Sequence, residues 1–147
     1  DEDARGSFAE SVQTLQGLVF ILDDNIELAK QQFQSVLEKT DNPMSKTICQ
    51  LYLLQIALIE GDNKKAEEYA SIRGVKSFLS LKTADMQVIQ AWYQFKVKKD
   101  VARSSKALKI AKQKMDSSRM LRDEKAYYQQ WLDELEQAIQ EEQTQVS

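Results

Sequence analysis

Histidine is absent from this 147-residue chain, cysteine and proline occur once each, and glycine four times. Without imidazole the chain lacks the usual general base and the commonest metal ligand. One thiol and no histidine cannot assemble a structural zinc pattern, and Cys49 has no partner for a disulfide within the chain. A lone thiol slightly favours a reducing, cytoplasmic setting and otherwise leaves the compartment open. The scattered glycines form no phosphate-cradling loop. No apolar run approaches the ~20 residues needed to span a membrane. The first residue is Asp1 rather than Met, so the expectation is a processed or excised piece of a longer protein.

What is present points to helix. Gln, Lys, Glu, Leu and Ala abound, whereas turns and sheets draw on Gly, Pro and β-branched residues. Hydrophobic residues make up 42% and charged residues 29%, which fits a folded chain and is too apolar for a disordered one. The length favours a single all-helical domain, 1–147. Net charge is −3, but the charges are unevenly placed. Residues 1–62 carry 11 acidic and 4 basic groups, residues 96–125 carry 4 acidic and 11 basic, and residues 126–147 carry 5 acidic and none basic. Such a distribution either steers a partner or simply solvates helix faces.

The clearest local signal spans Leu51–Ala70. Leu51, Leu54, Leu58 and Ile59 recur at helical spacing, Gly61 can end a helix in the left-handed conformation, and Asp62 can cap the next. Ala66 and Ala70 then allow close helix approach. Upstream, Ser7 and Glu10 have capping-box spacing, which predicts a first helix over 8–22 behind a frayed 1–6 tail, with Val12, Leu15, Val19 and Leu22 inward. Gly17, in mid-helix, costs about 1 kcal/mol against Ala and calls for a close neighbouring helix. Asp24 is expected to open a second helix with Ile26, Ala29, Phe33, Val36 and Leu37 inward. Asn42 and Pro43 open a third, over 44–60. A fourth covers 63–72 and stops at Gly74. Residues 75–81 read either as a short helix or as an extended connection. Thr83 and Asp100 open helices that end near Lys98 and Met115, with Met86, Ile89, Trp92 and Tyr93 inward on one and Ala107, Leu108, Ile110 and Ala111 on the other. A last helix, 119–142, carries Leu121, Tyr128, Leu132, Leu135 and Ile139 in one stripe.

These hairpins repeat. Ala29 and Ala66 are 37 residues apart, each following a break (Asp24-Asn25, Gly61-Asp62), and each is followed four residues later by Phe33 or Ala70. Gly17 and Leu54, then Phe20 and Ala57, match upstream. The pattern resembles the tetratricopeptide repeat. The third pair fits through Ala107 or Ala102 and has only Lys99-Asp100 at its turn. The resemblance implies an all-α fold: three helix pairs (8–39, 43–72, 84–115) stacked as a right-handed superhelix, with 119–142 covering the open end as a capping helix. A generic antiparallel bundle is the alternative.

Tetratricopeptide arrays are binding scaffolds, so the resemblance implies a non-enzymatic protein–protein interaction module holding a peptide or amphipathic helix of a partner. Its groove would be lined by Thr14, Leu18, Ile21, Leu51, Gln55 and Leu58. No cofactor, metal or catalytic residue is expected. Cys49 reads as a core thiol, and Glu67-Glu68 and Glu141-Glu142 read as solvated surface. A second reading is a regulatory or sensor module acting by effector binding or by dimerisation, including pairing through the last helix. A third uses the basic segment 96–125, where Arg103, Lys106, Lys109, Lys112 and Lys114 form a basic face, for nucleic acid. The sparse base-reading residues there, Ser104, Ser105 and Gln113, disfavour it. Trp92, Tyr93, Tyr127, Tyr128 and Trp131 fit a core better than a stacking platform.

Overall fold

The computed structural model describes residues 2–146; of residues 2–5, 7 and 146 it describes the backbone alone. The described residues form eight helices and no strand: α1 (Glu2–Leu22), α2 (Ile26–Lys39), α3 (Pro43–Glu60), α4 (Asn63–Ala70), α5 (Arg73–Leu79), α6 (Ala84–Lys96), α7 (Val101–Met115) and α8 (Arg122–Val146). The chain divides into two compact units, residues 1–76 and 77–147, with the boundary inside α5.

Local chemistry sets most helix ends. Asn42 Oδ1 accepts from the amides of Met44 and Ser45 at 2.9 and 3.3 Å, and Pro43 stands in the first turn, where its missing N–H has no partner to lose. Gly61 takes φ 73° and ends α3, and Asp62 accepts from Lys65 N at 3.1 Å to begin α4. Asp100 does the same for α7 through Arg103 N, at 3.0 Å. Two starts differ from expectation. Asn25, not Asp24, stands before α2, because Asp24 turns left-handed at φ 61°. Thr83 precedes α6 without capping it; its hydroxyl donates to Asp85 Oδ1 at 2.8 Å. At the other end of the first unit, α1 begins at Glu2, so Ser7–Glu10 lies inside the helix. The capping role expected of Ser7's side chain, like the fraying expected at Asp1, lies outside the described residues.

In the first unit α1 packs on α2 and reaches α3, α2 packs on α3, and α3 packs on α4. One contact decides how α1 is turned. A Cβ placed on Gly17 would lie 2.5 Å from Cε1 and Cζ of Phe33. Phe33 is fully buried and stacks on Tyr52 of α3, with centroids 5.0 Å apart and planes 14° apart. Its ring therefore needs the gap left by the glycine, and the face with Gly17, Leu18 and Ile21 turns inward. This overturns the expected inward face: Val12, Leu15 and Val19 are 38, 58 and 47% exposed, and Leu22 is only half-buried. Ala66 and Ala70 are buried as the small-residue stripe requires. Gly74 also has a different role from the one expected. The helix α4 ends at Ala70, and Gly74 lies within α5, where a Cβ would sit 2.7 Å from Thr47 Oγ1. Close approach to α3, not helix termination, is what requires glycine there. Of the ambiguous 75–81 segment, the part through Leu79 is helical.

In the second unit α6 and α7 form a closely packed pair and α8 lies on both. Ser104 Oγ, fully buried, donates to Ala91 O at 2.7 Å and locks α7 to α6. Trp92 Nε1 donates to Trp131 O at 3.0 Å, and the two indoles meet edge-on with centroids 6.0 Å apart, joining α6 to α8. Tyr128, Leu132, Leu135 and Ile139 are buried, so the α8 stripe is covered within its own unit. Leu121 is not part of it: it precedes α8 and is 75% exposed.

Candidate functional site

The six residues expected to line an open groove all fall in the first unit. Leu18, Ile21, Leu51, Gln55 and Leu58 are buried, and Thr14 is half-buried. Thr14, Leu18 and Ile21 share the face of α1 that Gly17 turns inward, and Leu51, Gln55 and Leu58 are buried on α3. Cys49 is fully buried in the same interior. Burial pushes its thiol up from the ordinary range, the Thr14 hydroxyl beside it pulls it partly back, and Glu10 adds to the rise. A thiol held protonated and out of solvent is a packing group and not a nucleophile.

A different recess forms in the second unit. Gln87, Gln90 and Gln94 stand at helical spacing on one face of α6. Gln87 is buried, and its Nε2 donates to the carbonyls of Leu79 and Leu81 at 3.2 and 2.7 Å. Gln90 Nε2 also reaches Leu79 O, at 3.4 Å. These bonds pin the turn after α5 against α6. Next in the row, Gln94 Nε2 donates to Gln90 Oε1 at 3.1 Å. That leaves Gln94 Oε1 buried with no donor. Such an atom forfeits its hydration without replacement, a cost of about 1–3 kcal/mol.

The glutamine row forms one wall of a cavity of about 390 Å³. Leu79, Ala107 and Ile110 supply its apolar lining, and Lys82, Arg103 and Lys106 supply three cations. No acidic side chain lines it. Asp100, outside the cavity, offsets Arg103 in part through a 3.5 Å ion pair on the exposed surface. The arrangement can accept a negative charge at the rim.

The basic face expected on this helix is split by its own periodicity. Arg103 and Lys106, three residues apart, share the cavity just described. Lys109 and Lys112 turn to a second recess between α7 and α8, where Lys112 Nζ meets Glu136 Oε2 at 2.9 Å. Four of the five cations expected on that face, all but Lys114, thus form two pairs in different surroundings, and only the first pair faces an acid-free cavity. The glutamines were not foreseen as site residues. The available sequence signal was three glutamines at helical spacing opposite a basic helix, which by itself reads as solvated surface. Among the described residues no cluster of His, Cys, Asp or Glu could hold a metal ion, and no helix is long and apolar enough to cross a membrane.

No protein-family model matches the chain, and no curated protein or solved structure does so.

Proposed function

We propose that this chain is a non-enzymatic protein-interaction module whose second unit binds an acidic peptide segment of a partner in the α6–α7 cavity. The observation that carries the reading is the set of three cations in one cavity, unopposed by any acid in its lining. An acidic peptide supplies carboxylates for Lys82, Arg103 and Lys106. Leu79, Ala107 and Ile110 provide room for a neighbouring apolar side chain. The resemblance of α1–α2, α3–α4 and α6–α7 to tetratricopeptide hairpins supports a binding role. In this reading the ligand sits on the second unit and not on the buried Leu18, Leu51 and Leu58.

The test is a titration of the isotope-labelled 147-residue chain with an end-blocked peptide bearing two Glu beside one Leu. The expected result is a shift of the Gln94 side-chain amide together with the Arg103 and Lys106 signals. Arg103→Glu with Lys106→Glu, both at exposed positions, should lose binding at least tenfold with helicity intact. Equal binding by the double variant, or shifts confined to other helices, overturns the reading. Tighter binding of a mixed-sequence RNA oligonucleotide with a steeper salt dependence also overturns it, because phosphate contacts release counterions.

A further inference from the structure

The three cations of the α6–α7 cavity come from two elements. Arg103 and Lys106 stand one turn apart on α7, and Lys82 follows the turn that Gln87 pins to α6 through the Leu79 and Leu81 carbonyls. Among the described residues no acid answers Lys82 or Lys106 within ion-pair distance. Asp85, three residues after Lys82, is engaged by the Thr83 hydroxyl and the Met86 amide, at 2.8 and 2.9 Å. Asp100 meets Arg103 at Nε, which leaves the two terminal nitrogens of the guanidinium for a bidentate pair with another acid. Like charges gathered in one recess repel one another, so the ligand that neutralises them together gains most.

We infer that the residue this cavity takes from the partner peptide is a phosphorylated Ser or Thr. The inference rests on the reading of the cavity as a peptide site and names the acid it selects. A Glu or Asp brings one negative charge and two oxygens, and a second acidic residue brings its own on a separate side chain. A phosphomonoester carries about −1.5 to −2 near neutral pH and three acceptor oxygens on one phosphorus, one for each cation. The planar guanidinium of Arg103 matches two of those oxygens. A nucleic-acid phosphodiester carries a single charge and two free oxygens, and so fits the cavity less well.

Fluorescence anisotropy with the 147-residue chain tests this on two labelled, end-blocked peptides, one with two Glu beside one Leu and one with a single phosphoserine beside the same Leu. Their charges are nearly equal at about pH 7.5, so a difference reports the group and not the net charge. The phosphopeptide should bind about tenfold more tightly there. Its advantage should shrink at about pH 5.5, because its second pKa lies at about 6 and no histidine or carboxylate lines the cavity. Lys82→Gln, at an exposed position, should cost the phosphopeptide about tenfold. Lys109→Gln, an equal loss of charge in the other recess, should cost nothing. Equal or tighter binding of the two-Glu peptide overturns the inference and leaves the peptide reading standing. So does an advantage undiminished at the lower pH, a Lys82→Gln chain that binds as wild type does, or a Lys109→Gln chain that loses as much. Binding of neither peptide overturns both the inference and the peptide reading, as does displacement of the phosphopeptide by an equal concentration of inorganic phosphate.

Discussion

Gly17→Ala separates two physical accounts of α1. Helix propensity alone makes the substitution stabilising by about 1 kcal/mol. Packing opposes this, because the new methyl would sit 2.5 Å from two carbons of the Phe33 ring and 3.1 Å from a third. The ring cannot yield easily, since it is fully buried and lies flat against Tyr52 at 5.0 Å. Overpacking of this kind costs about 1–3 kcal/mol. The net expectation is destabilisation of the first unit by up to about 2 kcal/mol, the clash prevailing over propensity. Urea unfolding followed by far-UV circular dichroism gives the overall effect. Hydrogen exchange at the Phe33 and Val36 amides reports the first unit by itself. Gly6→Ala is the internal control: nothing lies within 4 Å of its added methyl, so only propensity acts and stability should not fall. Adding Phe33→Leu to Gly17→Ala should cost less than the two separate losses summed, since the smaller side chain admits the methyl. A Gly17→Ala chain as stable as wild type, or more so, refutes the account of how α1 is oriented.

Two further outcomes follow from the second unit. Leu132→Ala removes a buried side chain from the α8 stripe and should cost about 2–5 kcal/mol by urea unfolding, while Leu121→Ala, outside the stripe and exposed, should change stability by less than about 0.5 kcal/mol. Glu124 is held above its ordinary value of 4.5, first by burial and then by Asp85. The folded chain therefore holds that proton more tightly than the unfolded chain does, and the site's contribution to stability is present at low pH and lost as pH rises through and above 4.5. Glu124→Gln should thus raise the melting temperature at pH 7 and leave it nearly unchanged at pH 4; a gain of equal size at both would contradict the assignment.

Helix boundaries were readable where the determining groups sit within three residues of each other. Asn42 with Pro43, Gly61 with Asp62, and Asp100 each act on the amides beside them, so their effect is present in the chain before any packing. Gly74 shows the limit of that logic. A glycine near a helix end can terminate the helix or admit a neighbour, and Thr47, 27 residues away, decides between them. The recess on α6 was illegible for a related reason. Gln94 gains meaning only when Gln90 occupies its amide nitrogen and leaves the oxygen without a donor.

The sequence by itself determined that the chain is helical almost throughout, where most helices start and stop, that Cys49 is a core thiol, and that α8 buries its Tyr128–Ile139 stripe. Those properties follow from local propensity, capping and a single apolar face. The tertiary structure decided which face of α1 is inside, because α1 carries two apolar stripes of comparable strength and periodicity cannot rank them. The fit of Phe33 over Gly17 ranks them, burying Leu18 and Ile21 and leaving Leu15 and Val19 in water. It also decided that Arg103 and Lys106 share a cavity that Lys109 and Lys112 do not, since a helix turns by about 100° per residue and α8 meets only one side of it.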